Sequence, residues 1–308
     1  MLAIFLKTIP FFALIGLGYG AGRTRFFSEA ATAALTKFVF YFALSAMLFR
    51  FSASLSFSEI FDARLAAGYL WGTAAVYGVA TAVAFLRRQD VQTAAIEAQT
   101  ASIGNTGFLG LPMLALMLGD EAVGPIILML SIDLIVFAAL LVILVSAARE
   151  GRITPHIFQS VGLGLVKNPM IVSIVAGLTV SALKLPLPGV VTEFVTMLGN
   201  AATPCALFAI GASLASKSAE RIAVSGWLSF AKLVLHPLFV AGGVFLFFPV
   251  EPFQATVAVS TAAMPVAGNV FMLAQHYGIA PQRVSAAILI STAASILTVS
   301  AVIGLVAP

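Results

Sequence analysis

The chain has 308 residues, of which 61% are hydrophobic and 9% charged, and its formal net charge is +4. Soluble globular domains carry about a quarter charged residues because they need a polar shell. The composition therefore excludes a soluble fold and indicates that lipid is the solvent for most side chains. The small, scattered positive charge does not favour nucleic-acid binding, and the single cysteine, Cys205, excludes an internal disulfide.

Ten apolar stretches, spans 1 to 10, are bounded by charges or by Gly and Pro clusters. A helix needs about 20 apolar residues to cross the hydrocarbon core, and only span 6 is short. Span 1 is too long for a signal-peptide core and no cleavage site follows it. The sequence predicts an all-α polytopic membrane protein with ten transmembrane helices at 4–22, 31–49, 64–86, 92–118, 123–147, 168–183, 192–214, 223–248, 252–276 and 283–305.

Basic residues are distributed unevenly between the two sets of connections. By the positive-inside rule, the richer set faces the cytoplasm. Met1 and Pro308 are then periplasmic in a bacterial inner membrane, and 148–167 is the longest cytoplasmic loop. Loops after the odd-numbered spans hold Arg23, Arg25, Arg87, Arg88, Arg149, Arg152, Lys167, Lys217, Arg221 and Arg283, whereas the other set holds Lys7, Arg50, Arg64 and Lys184.

Spans 4 and 9 share an internal repeat at an offset of 159 residues, which aligns GFLGLPMLALMLGDEA from Gly107 with VAGNVFMLAQHYGIAP from Val266. Each half of the chain then contains five spans. Because five is odd, the second half enters the membrane with the opposite orientation, which is typical of inverted-repeat transporters. The predicted repeats are residues 1–150 and 151–308.

Both repeated spans carry helix-weakening residues. IGNTGFLGLP (103–112) contains three glycines and a proline, and MPVAGN (264–269) contains Pro265 and Gly268. Gly and Pro weaken helices, and unwound backbone at membrane depth requires protein or a watery cavity to satisfy it. A single site of this kind could be a kink. Two at matched positions favour broken helices, with the second half of span 4 starting near Leu109.

At these residues the chain resembles the auxin efflux carrier family, the bacterial relatives of plant PIN auxin exporters, and more distantly the bile acid sodium symporters. The family usually has proline where this chain has Ser45, which leaves the family's kink in span 2 open. The resemblance covers the whole chain and rests on LTKFVFYFALSAMLFR (35–50), GNTGFLGLP (104–112), KNPMIVSIVAGL (167–178), GNAATPCALFAIGASLA (199–215) and MPVAGNVFMLAQHYG (264–278).

The resemblance implies a five-plus-five inverted repeat in which spans 4 and 9 are broken and cross one another. It also implies a scaffold of spans 1, 2, 6 and 7, an elevator-like transport domain of spans 3–5 and 8–10, and a homodimer formed through the scaffold. Bacterial members are associated with malonate, malate and similar carboxylates, and the plant branch exports auxin. The expected function is secondary transport of a small organic anion across the lipid bilayer.

Asn105 matches the asparagine that family transporters place at the crossing point. Its amide offers two donors and an acceptor, and the half-helix after it would direct free N–H groups and a positive dipole end at a carboxylate. Alternatively, Asn105 only caps the broken helix. The predicted substrate-binding residues are Gly104, Asn105, Thr106, Pro112, Pro265, Gly268 and Asn269.

Asp133 stands in the middle of span 5, where a carboxylate is costly unless it is paired, protonated or bound to a cation. It is therefore a candidate for coupling to Na⁺ or H⁺, and the alternative is a structural hydrogen bond to neighbouring helices. Glu97 and Gln99 in span 4 could add oxygen ligands for a cation. Because Glu97 is nearer the cytoplasmic end of the span, it could instead be exposed to solvent.

Lys232 and His236 are four residues apart in span 8 and share one helix face. His236 could relay a coupling proton or have a structural role. Lys232 and Lys37 are expected to extend their ammonium groups to the cytoplasmic interface.

Enzyme motifs are missing from the sequence: it has no H-E-x-x-H, G-x-S-x-G or Walker-type P-loop, and three histidines with one cysteine make a poor metal site. We therefore expect no enzymatic activity and no cofactor beyond a coupling Na⁺ or H⁺. Two other functions are compatible with the pattern. The broken helices could line an anion channel, or the protein could be a membrane sensor or scaffold that binds solute without moving it.

Overall fold

The computed structural model describes residues 2–216 and 222–306, and in these ranges it is helical with no strands. Lys217, Arg221, Met1 and Pro308, which enter the predicted topology, lie outside the described residues. The helices are α1 Leu2–Arg23, α2 Glu29–Ser54, α3 Phe57–Ile60, α4 Ala63–Leu86, α5 Val91–Ser102, α6 Thr106–Leu118, α7 Asp120–Glu150, α8 Pro155–Lys167, α9 Pro169–Ala182, α10 Gly189–Leu214, α11 Ile222–Phe247, α12 Pro252–Ala262, α13 Gly268–Tyr277 and α14 Pro281–Val306.

Several helices are suited to a membrane. In the described part of the chain, six are long and apolar enough to cross one, namely α2, α4, α7, α10, α11 and α14, and a seventh crossing results if the bent pair α8 and α9 counts as one. The prediction of an all-helical, multi-pass membrane protein is confirmed.

The predicted loop 148–167 is mostly helical, so this prediction was wrong. Only residues 151–154 separate α7 from α8, and α8 meets α9 at a bend of 66°. The bend lies at Asn168, whose side chain accepts a hydrogen bond from the Met170 N–H at 3.0 Å and so caps α9. Pro169 lacks the N–H that would continue α8. The apolar segment before this stop therefore forms a helix of its own.

Close packing between α4 and α11 depends on glycine. A Cβ added to Gly72 would lie 2.6 Å from the backbone of Val240, and one added to Gly243 would lie 2.2 Å from the carbonyl oxygen of Gly68. Small residues at these positions let the two backbones approach, as is common where membrane helices pack. The contact places polar side chains of α4 directly against those of α11.

Within residues 2–216 and 222–306, five π-helical turns interrupt the regular helices. Turns of this type appear mostly singly and frequently at functional sites. In α2 the Ser45 hydroxyl donates to the carbonyl oxygen of Phe40 at 3.0 Å, so this helix is irregular even though it lacks the family's proline. The turns are Val39–Ala43, Thr106–Gly110, Asp133–Phe137, Ala231–Leu235 and Gly243–Phe247.

Asp90 caps the start of α5, which faces the cytoplasm in the predicted topology. Its carboxylate accepts a hydrogen bond from the Thr93 N–H at 2.7 Å. This bond holds the pKa of Asp90 below its ordinary value.

Candidate functional site

The Gly- and Pro-rich stretches interrupt the helices predicted as spans 4 and 9. Span 4 is divided between α5, which ends at Ser102, and α6, which begins at Thr106. Span 9 is divided between α12, which ends at Ala262, and α13, which begins at Gly268. The α6 half starts three residues before the predicted Leu109, and its first turn is π-helical.

The two breaks lie side by side as extended backbone and form the crossing. The Asn105 N–H donates to the carbonyl oxygen of Pro265 at 2.8 Å, and the Ala267 N–H donates to that of Ile103 at 3.1 Å. Between them, the Val266 N–H donates to a serine hydroxyl of α14 at 3.1 Å. Protein groups thus supply hydrogen-bond partners for this unwound backbone, as is required of non-helical backbone inside a membrane.

Two half-helices, α6 and α13, begin at the crossing without a side-chain cap. Neither Asn105 nor Ala267, the residues that precede them, caps its helix through a side chain. The first N–H groups of a helix have no intrahelical partner, and they carry the positive end of the dipole. The interpretation of Asn105 as a simple cap is therefore wrong. Its backbone carbonyl, rather than its amide, accepts hydrogen bonds from Leu109 and Gly110.

A cavity opens beside these two N-termini, with about 380 Å³ of empty space including its mouth. Asn105, Asp133 and Asn269 give it polar side chains, and Phe40, Phe108 and Met170 give it apolar ones. Of the predicted substrate residues, Gly104, Asn105, Gly268 and Asn269 line the cavity, whereas Thr106, Pro112 and Pro265 do not.

Among the buried oxygen atoms that have no hydrogen-bond partner in the described ranges, two lie in the first turns of the half-helices. They are the hydroxyl oxygen of Thr106, in the first turn of α6, and Oδ1 of Asn269, in the first turn of α13. Buried polar groups are almost always hydrogen-bonded. Orphan oxygens at two helix N-termini therefore indicate a place where a ligand or water completes the bonding.

Asp133 lies in the cavity wall, at the start of a π-helical turn of α7. Its carboxylate accepts hydrogen bonds from the Tyr69 hydroxyl of α4, at 3.1 Å to Oδ1 and 3.2 Å to Oδ2. The structural hydrogen bond considered as an alternative is therefore present, and the same carboxylate also borders the cavity. Tyr69 was missed in the sequence because one tyrosine in an apolar span has no pattern to mark it.

Lys232 is completely buried, so the prediction that it reaches the interface was wrong. Its Nζ donates to the carbonyl oxygen of Ala262 at 2.6 Å and lies 2.9 Å from His236 Nδ1. His236 Nε2 is 3.0 Å from the Thr73 hydroxyl of α4. These partners satisfy the hydrogen-bonding capacity of the Lys232 ammonium group inside the protein. The side chain therefore does not need to extend to the membrane interface. Lys37, by contrast, is exposed on α2.

Glu97 is also buried, so the alternative of solvent exposure was wrong. Its carboxylate pairs with the guanidinium groups of Arg87 and Arg283, the latter at 2.7 Å. Glu97 lies five residues before the end of α5 at Ser102, which is about 7.5 Å along the helix, and it does not line the cavity. Gln99 is buried in the same helix and does not line the cavity either.

Interrupted helices whose ends meet at a polar cavity are the arrangement in which membrane transporters bind their solutes. Comparison with known proteins identifies which transporters these are. A model of the family described as "Membrane transport protein" matches residues 3–303. The chain belongs to this family, which is that of the auxin efflux carriers.

A relative from Rhizobium meliloti (strain 1021) is named as a proposed malonate transporter. It is 32% identical over 304 residues, which cover 97% of this chain and 94% of that protein. The protein is therefore a membrane transporter and not an enzyme.

Proposed function

We propose that this protein is a secondary active transporter of small organic anions and that it binds a carboxylate at the crossing of the two broken helices. The observation that carries the proposal is that two uncapped helix N-termini begin beside one cavity, next to the Asn105 side chain. Free N–H groups and positive dipole ends favour an anion there.

The electrostatics of the cavity support a carboxylate guest. Each helix N-terminus contributes roughly 0.3–1 kcal/mol toward an anion, and up to about 2 kcal/mol where it is partly buried. The Asn105 amide, which lines the cavity, adds a donor of its own. The apolar wall formed by Phe40, Phe108 and Met170 suits the short carbon chain of a dicarboxylate. The name of the Rhizobium meliloti relative points to the same class of substrate.

We also propose the finer architecture that the resemblance implies. Ten crossings result if three are added to the seven candidates counted above: α1, the interrupted pair α5 and α6, and the interrupted pair α12 and α13. Each interrupted helix is then the fourth of five in its half. The proposal includes the inverted repeats 1–150 and 151–308, periplasmic termini, elevator-like movement of spans 3–5 and 8–10, and a homodimer formed through spans 1, 2, 6 and 7. The coupling ion is Na⁺ or H⁺.

A thermal-stability screen of the purified protein tests the proposal. A ligand that binds only the folded state stabilises it by RT ln(1 + [L]/Kd), so the melting temperature should rise with malonate or malate at constant ionic strength. Dimethyl malonate has the same carbon chain without the charges and is the matched control, which should give no shift. Equal shifts with both compounds, or no shift with any carboxylate or indole acid, would contradict the proposal.

A further inference from the structure

We propose that the cavity selects organic anions with a single negative charge, so that malonate binds as hydrogen malonate. One end of the bound substrate is then a carboxylate, and the other end is a neutral group that donates a hydrogen bond. The inference rests on the proposed function, because it specifies the charge state of the substrate in the same cavity.

The first argument is the amount of positive charge that faces the cavity. The N-termini of α6 and α13 both begin beside it. A helix N-terminus is equivalent to roughly half a unit charge, so two of them balance about one negative charge. In the described part of the chain, none of the side chains that line the cavity is basic. A second carboxylate of the substrate would therefore have no cation to pair with.

The second argument is the negative charge that the cavity wall already carries. Asp133 on α7 is the titratable side chain that lines the cavity in the described ranges. The Tyr69 hydroxyl of α4 donates to its carboxylate at 3.1 Å, and Lys232 on α11 interacts with it electrostatically. The lysine and the aspartate compensate one another, which leaves no positive charge for the substrate. A dianion would bring its second charge toward Asp133, and like charges disfavour one another.

The third argument is the kind of polar group that the cavity offers to the second end of the substrate. Asn269 lies in the first turn of α13, and its buried Oδ1 atom has no hydrogen-bond partner in the described ranges. A carboxylate cannot donate to this oxygen, whereas a protonated carboxyl group has an O–H that can. The wall near Phe40, Phe108 and Met170 is apolar, and an unpaired charge against it is costly.

These features give the site two different ends. The substrate carboxylate lies at the helix N-termini beside Asn105, which is buried and lines the cavity. The neutral end donates a hydrogen bond to Oδ1 of Asn269. The site therefore distinguishes hydrogen malonate from the malonate dianion by charge and by the presence of one donor.

The experiment measures the affinities of three ligands by calorimetric titration of the purified protein, from mildly acidic to mildly alkaline pH at constant ionic strength. Malonate changes from the monoanion to the dianion over this range. Malonamate, its monoamide, and monomethyl malonate, its monoester, remain monoanions, and of these two only the amide has a donor. Malonamate should therefore bind more tightly than monomethyl malonate.

The pH dependence is evaluated as the ratio of the malonate affinity to the malonamate affinity. We expect this ratio to fall about ten-fold for each pH unit above the second pKa of malonic acid, because the fraction of hydrogen malonate falls by that factor. The ratio removes the contribution of protein groups that act on both ligands. These groups are Asp133 and the residues around it, Tyr69, Lys232 and His236, whereas Glu97 on α5 and Arg283 on α14 pair with each other.

Asn269→Ala tests the neutral end of the site. It should weaken the binding of hydrogen malonate and malonamate roughly two-fold to ten-fold, because one hydrogen bond is lost. The affinity for monomethyl malonate should not change, since the ester has nothing to donate. Asn200→Ala is the matched control and should change none of the three affinities, because Asn200 is exposed on α10 and bonds to Arg50 at 3.3 Å.

Two results would overturn the proposal. One is an affinity ratio that stays constant or rises with pH, because the dianion would then bind at least as well as the monoanion. This measurement uses the wild type and does not depend on the folding of any variant. The other is an Asn269→Ala protein that loses monomethyl malonate as strongly as malonamate. Malonate binding without the expected pH dependence would leave the proposed function standing, whereas no binding of any of the three ligands would contradict both proposals.

Discussion

Replacing Asn105 with alanine should weaken substrate binding while leaving the fold intact. The side chain lines the cavity and does not cap α6, and the backbone of this residue is held by its own bond to Pro265 at 2.8 Å. The substitution should therefore remove a proposed substrate ligand without removing a helix cap. Loss of one hydrogen bond to a charged group costs about 1.5–3 kcal/mol, which lowers affinity by about ten-fold to more than a hundred-fold.

Asn168→Ala is the matched control. Asn168 has the same side chain, but it caps α9 through the Met170 N–H at 3.0 Å. Loss of such a cap costs about 0.5–2 kcal/mol of stability and should leave affinity unchanged. Calorimetric titration with malonate and thermal melting of both variants would separate the two effects. Wild-type affinity in Asn105→Ala would refute the reasoning, as would a drop in its melting temperature equal to that of Asn168→Ala.

Three further predictions concern the crossing and the topology. Gly104→Ala should reduce counterflow severalfold, because the added Cβ would lie 3.2 Å from the buried ammonium group of Lys232. Gly78→Ala is the control and should not reduce counterflow, because a Cβ there meets nothing within 4 Å. Equal counterflow in the two variants would exclude tight packing at Gly104 as a constraint on transport. Asp133→Asn should abolish the pH dependence of transport if this carboxylate carries the coupling proton, and Tyr69→Phe should only shift it. Unchanged dependence on pH and Na⁺ in Asp133→Asn liposomes would make the residue structural. A cysteine placed at Arg88 should be labelled only from the cytoplasmic side in whole cells, and labelling by an impermeant reagent from outside would contradict the topology.

Much of the fold could be predicted because it depends on local features. Apolar length determines which segments form membrane helices, and Gly104 and Pro265 mark where two of them are interrupted. Local chemistry likewise identified Asn105, whose position next to the first break places it in the cavity. The helix at Pro155–Lys167 was missed because the charges around it resemble a loop, although its apolar residues are sufficient for a helix.

The partners of the buried residues Lys232, Asp133 and Glu97 could not be predicted, because they come from parts of the chain that are far apart in sequence. Lys232 is next to the end of α12, thirty residues later, only because the helices pack in that way. Tyr69 reaches Asp133 across 64 residues. Glu97 was predicted to be a cation ligand or a solvent-exposed residue, and its partner Arg283 comes from the other half of the chain. Sequence patterns identify a charged residue in a span, but they do not identify its partner.

Counterflow in liposomes is the most direct test of carrier function. Liposomes that contain the purified protein are loaded with unlabelled malonate and diluted into a trace of labelled malonate. The proposed carrier mechanism predicts transient accumulation of label above its equilibrium level, which disappears when the internal malonate is omitted and is strongly reduced in Asn105→Ala. Equilibration of label without stimulation by internal malonate would indicate a channel, and binding without any movement of label would indicate a sensor. Either result would contradict secondary transport at this site.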